Sequence, residues 1–170
     1  MKFLTLLLTV VFGLQLMTQK ANAQKADSLT WYTDVMKANE ISNATGKPIF
    51  ALFTGSDWCI WCRRLQNNVF SKPEFIEWAK KNVVLLELDF PRNKQQSPEL
   101  KSQNQQLQQQ FKVTGYPTVW MFFLTKDEKA KQISITPLGS CGYPQNPEPG
   151  REQVKFLQDA NDILKNKPAK

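Results

Sequence analysis

Histidine is absent from all 170 residues. That excludes Ser-His-Asp and Cys-His catalysis, histidine-ligated zinc, and haem attachment through Cys-x-x-Cys-His. Cysteine is scarce as well. Cys59, Cys62 and Cys141 are the only three, too few for the roughly four ligands of a structural zinc site when no histidine can add to them. No metal and no organic cofactor is expected. The net charge is +7, to which Lys2 and Lys20 contribute two, but lysine and arginine are scattered along the chain. There is no basic stripe of the kind that follows a nucleic acid, and no nucleic-acid partner is expected. No internal repeat is visible, and no break in composition marks a second domain.

What remains is a globular composition, 41% hydrophobic and 22% charged, in a chain long enough for one domain with a real core. The N-terminus reads as a secretory signal. Lys2 is its charged start, and Phe3 to Met17 is apolar apart from Thr5, Thr9, Gly13 and Gln15. Ala21-Asn22-Ala23 matches a small-x-small cleavage pattern. The competing reading is a retained membrane anchor, for which the apolar run is short. We therefore expect a signal peptide over 1–23, a single domain over 24–170, and no stable membrane anchor after cleavage. A mature chain of this kind is periplasmic or secreted, where disulfides persist.

Periodicity predicts the elements. Asp27 to Ala44 reads as an amphipathic helix, with Trp31, Val35, Ala38 and Ile41 at helical spacing. Pro48 to Thr54 is a continuous apolar run, as in a strand covered on both faces, and a helix should start near Cys59. Ser71-Lys72-Pro73-Glu74 has the spacing of a capping box before the next helix. Asn82 to Phe90 is a second buried strand. Ser97-Pro98 can open a helix carrying Leu100, Leu107 and Phe111 on one narrow face. Pro117 to Leu124 is a third strand, Lys126 to Lys129 a charged hairpin turn, and Gln132 to Leu138 a fourth strand. A loop from Gly139 to Gly150 follows, then a helix from Glu152 to Lys165. Alternating strands and helices imply parallel pairing for the first strands, and the short turn between the last two implies an antiparallel hairpin.

The chemistry lies in Trp58-Cys59-Ile60-Trp61-Cys62, at a strand-to-helix junction. A helix N-terminus presents unpaired N–H groups and a partial positive charge that stabilise a thiolate. Cys59 sits at that end, and Cys62 returns to the same side nearly one turn later. Cys59 should be the more exposed sulfur and attack a partner disulfide, and Cys62 should resolve the mixed disulfide. The rival reading is a permanent staple, but a bridge across so short a loop removes little unfolded-state entropy. Gly115-Tyr116-Pro117-Thr118 opens another apolar run. Pro117 there is either a strand-edge start or follows a cis bond that sets the Tyr116 main chain beside the dithiol; the isomer stays open.

Together these features resemble the thioredoxin family. The resemblance rests on Trp58-Cys59-x-x-Cys62 after a buried strand, on Gly115-Tyr116-Pro117-Thr118 at the later strand, and on the element order, over Pro48 to Lys165. Gly55-Ser56-Asp57-Trp58-Cys59-x-Trp61-Cys62 with Leu88-Asp89-Phe90-Pro91 is similar to exported bacterial thioredoxin-like proteins with a Trp before the second cysteine. The resemblance implies an α/β thioredoxin fold, with a mixed central sheet flanked by helices on both faces. It implies a nucleophilic Cys59, a resolving Cys62, and a cis Pro117 that helps bind extended peptide. The expected activity is thiol–disulfide exchange on protein disulfides, as a reductase or isomerase, with a membrane redox partner for recycling. A non-catalytic peptide-binding or envelope-assembly module is the rival.

Two departures stand out. Ile60-Trp61 replaces the Gly-Pro of thioredoxin itself, and this pair bears on the direction of electron flow. Typical thioredoxins also bury an acid in the strand before the dithiol, where this chain has Leu52 and Phe53. Asp57, Glu87 and Asp89 are nearby without being clear replacements, which leaves water to accept the Cys62 proton. Cys141 reads as a free, half-buried thiol or as a third redox partner. Trp58 reads as a packing aromatic or, with Trp61, Tyr116 and Pro117, as part of the substrate-binding surface. Trp31, Trp78 and Trp120 are expected in the core.

Overall fold

The structure is a computed structural model, and it describes residues 28–127 and 132–168. The expected signal segment and the tip of the charged hairpin turn lie outside these residues. The elements are β1 (Trp31–Tyr32), α1 (Val35–Thr45), β2 (Ile49–Thr54), α2 (Ile60–Leu65), α3 (Pro73–Asn82), β3 (Val84–Asp89), α4 (Pro98–Gln110), β4 (Thr118–Asp127), β5 (Gln132–Gly142) and α5 (Glu152–Leu164). A π-helical turn, Gln66–Phe70, continues α2 without a break.

One five-stranded sheet runs in the order β1-β3-β2-β4-β5. β2 is parallel to β3 and antiparallel to β4, and β4 and β5 form the antiparallel hairpin. All six residues of β2 are buried, because the central strand is covered on both faces. Successive side chains alternate between those faces. Phe50 and Leu52 pack with Leu65, Val69, Phe70, Phe75, Trp78 and Phe156, under α2, α3 and α5. Ile49, Ala51 and Phe53 pack with Ala38, Leu107 and Phe111, under α1 and α4. Helices therefore flank both faces, as expected. Phe50 is the hub of its layer, with Trp31, Phe70, Phe75, Trp78 and Phe156 all within 6.2 Å of its ring centroid.

Four local expectations are corrected. Trp31 is in a strand rather than on a helix, because Trp31 and Tyr32 pair with Leu85 and Leu86 at the sheet edge. The helix begins only after Asp34, whose Oδ1 accepts from the Met36 and Lys37 N–H groups at 2.7 and 3.2 Å. The capping box at Ser71 does not form. Ser71 closes the preceding π-helical turn, donating its N–H to the Gln66 oxygen and its Oγ to the Asn67 oxygen, and Lys72 takes the cap position. The fourth strand does not stop at Leu138. Met121 pairs with Gly139 and Phe122 with Pro137, so Leu138 is an extra residue that bulges into the core, and the strand runs on to Gly142. Last, Trp78 is buried, but Trp31 and Trp120 are only half-buried and pack against the core margins. The Ser97 cap of α4 is as expected, with Oγ accepting from the Leu100 N–H at 3.2 Å.

Candidate active site

The turn after β2 is clipped to the segment after β3. Ser56 donates its N–H and its Oγ to the Asp89 carboxylate at 2.8 and 2.6 Å. Asp57 accepts from the N–H groups of Arg92 and Asn93. Trp58 Nε1 donates to the Phe90 oxygen at 2.8 Å. The Arg92 guanidinium lies 4.0 Å over the Trp58 ring, and Tyr116 packs against that ring nearly perpendicular at 5.7 Å. These are the contacts of a packing aromatic.

Held this way, the chain enters α2 with Cys59 as its N-cap in extended conformation. Cys59 and Cys62 are joined in a disulfide, Cα to Cα 5.3 Å, within the usual span. Cys59 Sγ accepts the Cys62 N–H at 3.2 Å. An N–H aimed at a sulfur in this way is the kind of donor that favours a thiolate. Cys59 Sγ also lies 3.7 Å from the Tyr116 carbonyl oxygen, and the Tyr116–Pro117 peptide bond is cis. The tertiary structure therefore brings Cys59, Cys62, Tyr116 and Pro117 together. Cys59 and Cys62 are 5% and 7% exposed, so both residues of the pair are buried.

Trp61 lines a groove with Tyr116 and Pro117. It is 46% exposed, beside Ile60 at 54%, and its ring meets Tyr143, centroids 5.1 Å apart. Tyr143 was not foreseen. The available signal was an aromatic residue between Gly142 and Pro144, where no strand or helix period could place it in a core.

The carboxylates divide by role. Asp89 is committed to Ser56. Asp57 is committed to main-chain N–H groups, and the one from Arg92 foremost holds its carboxyl below the ordinary value. Glu87 pairs in register with Leu52 and shares the α2 face of the sheet. Burial, with the Asp89 charge second, pushes its carboxyl up. Cys141 is in β5 opposite Val119 rather than in a loop. It is a free thiol, pushed up to about 12 by burial foremost, so it is poorly suited to exchange. Among the described residues, no cluster of three or more Cys, Asp or Glu is placed to hold a metal ion, and no helix is long and apolar enough to cross a membrane.

Comparison with known proteins agrees with this geometry. The model of the thioredoxin-like domain matches residues 35–132. The chain is 34% identical to a disulfide bond reductase, DsbH, of Chlamydia pneumoniae, over 74% of each protein. It is 29% identical to the thioredoxin-related protein DsbJ of the same organism, over 84% of this chain but 39% of that longer protein. The solved structure of a DsbH oxidoreductase superposes with a TM-score of 0.65 at 30% identity, covering 81% of this chain and 85% of that one. A thioredoxin from Thermus thermophilus shares the fold, with a TM-score of 0.53 at 19% identity. The chain belongs to the thioredoxin-like family.

Proposed function

We propose that this thiol–disulfide oxidoreductase works in the reducing direction on disulfides of exported polypeptides. One observation carries the proposal: a closed Cys59–Cys62 pair at a helix start, with the Cys62 N–H on the Cys59 sulfur and the Tyr116–Pro117 main chain alongside. In the reduced protein the Cys59 thiolate attacks one sulfur of the substrate disulfide. A Cys59–substrate bond forms, the substrate S–S bond breaks, and the first substrate thiolate leaves. Cys62 then loses its proton and attacks the Cys59 sulfur, releasing the second substrate thiolate. Two electrons pass to the substrate, whose sulfurs take up two protons, and the protein is left as the disulfide. A membrane-held dithiol donor restores it.

The direction is supported by the relative named a disulfide bond reductase, 34% identical to this chain. Export is supported by the charged, apolar, Ala-x-Ala pattern of residues 1–23.

Insulin reduction driven by dithiothreitol tests the activity. The parent turns over and Cys59→Ser does not; equal turnover would leave a peptide-binding module in its place. Equilibration with glutathione tests the direction. The expected potential is nearer the roughly −270 mV of a reducing thioredoxin than the roughly −120 mV of a strong oxidant.

A further inference from the structure

We propose that Trp61 and Tyr143 form an aromatic clamp that selects polypeptide substrates with a large uncharged side chain beside the reacting cysteine. The inference rests on the oxidoreductase reading and adds a substrate class to it. A groove of about 600 Å³ is lined by Trp61, Tyr116, Pro117, Gly142, Tyr143 and Pro147. It lies beside the chemistry, since Tyr116, one of its lining residues, has its main-chain oxygen 3.7 Å from the Cys59 sulfur. No charged side chain lines it. A charged group buried there would lose water, whereas an aromatic or large aliphatic one would gain contact area.

The two rings come from segments far apart in sequence, and each is tethered. The Arg64 guanidinium lies 4.5 Å over the Trp61 ring. Asn68 donates its Nδ2 to the Tyr143 hydroxyl at 3.1 Å. Asn68 projects from the π-helical turn, a widening that often marks functional sites. The groove floor depends on Gly142, where a Cβ would come 3.2 Å from the Pro117 oxygen. Rings fixed before substrate arrives lose little conformational freedom on binding. Trp61 is nevertheless 46% exposed, a large apolar surface that a substrate side chain would cover.

The test uses two synthetic peptides, each closed by one disulfide and identical except for Phe or Asp beside one cysteine. Hydroxyethyl disulfide, which has no such side chain, is measured alongside. The parent should favour the Phe peptide about tenfold in kcat/KM. Tyr143→Ala should bring the ratio to about two, mainly by raising KM for the Phe peptide, as loss of uniform binding does. Tyr143→Phe keeps the ring, loses the Asn68 tether, and should fall between. A parent that reduces hydroxyethyl disulfide but treats both peptides alike overturns the clamp alone, whatever the variants do. Tyr143→Ala with the parental ratio also overturns it. A parent inactive on every disulfide overturns the oxidoreductase reading, and the clamp falls with it.

Discussion

The indole N–H of Trp58 donates to the carbonyl oxygen of Phe90 at 2.8 Å, joining the turn before the dithiol to the turn after β3. With Arg92 over the ring and Tyr116 against it, the indole is held from several directions. Gly55 lies directly against it. A Cβ there would sit 2.4 Å from Trp58 Cε2, closer than any real contact.

Gly55→Ala should therefore destabilise by about 1–3 kcal/mol, the usual cost of overpacking. The urea midpoint, followed by tryptophan fluorescence, measures it. A change below about 0.5 kcal/mol would show that the indole moves aside freely.

Glu87 sets an expected pH dependence. Its carboxyl is pushed up in the folded protein, so the folded state holds that proton more tightly than the unfolded chain does. Its contribution is therefore lost as pH rises through the carboxylate range, and at neutral pH the ionised group costs stability. Glu87→Gln should raise the urea midpoint at pH 7 and leave it near the parental value at about pH 3, where both side chains are neutral. A variant less stable than the parent at pH 7 would show that ionised Glu87 has a stabilising partner.

Cys62→Ser removes the resolving sulfur but keeps the main-chain N–H that reaches Cys59 at 3.2 Å. The variant should still attack a substrate disulfide and then stall. Mass spectrometry after mixing with oxidised insulin should show a Cys59-linked adduct, reversed by dithiothreitol. Absence of any adduct would mean that Cys59 is not the attacking sulfur.

Cys141 should behave as a bystander. With its thiol pushed up to about 12 by burial, little thiolate exists at pH 8. In the reduced, folded protein Cys59 should react with iodoacetamide well before Cys141. Cys141→Ser should reduce insulin at the parental rate. Cys141 reacting as fast as Cys59 would refute the suppression of its thiolate.

Particular residues show how far the sequence could be read. β2 was legible because a strand buried on both faces needs an unbroken apolar run such as Ile49–Phe53, and β3 because Val83 to Leu88 is apolar but for Glu87. The cap at Ser97 was legible because it bonds within three residues. β1 was not. Trp31 sits at helical spacing to Val35, yet its strand pairs with Leu85, a partner more than fifty residues away. The far end of β5 was missed because the Leu138 bulge breaks the two-residue alternation that marks a strand.

The site divides along the same line. The dithiol was written locally: three positions bring Cys62 back to Cys59 by helix geometry alone, whatever the rest of the molecule does. The resemblance carried Pro117 to that dithiol, and the fold places its neighbour Tyr116 against Cys59. Tertiary structure alone decided that Tyr143 meets Trp61 and is held by Asn68 across 75 residues. It also decided that Glu87 flanks Leu52, and that Cys141 lies half-buried in a strand opposite Val119. These depend on distance through space and on loss of water. Local spacing encodes contacts within a turn or two of helix, but which surfaces face each other, and which charges or thiols lose their solvent, is settled only when the layers pack.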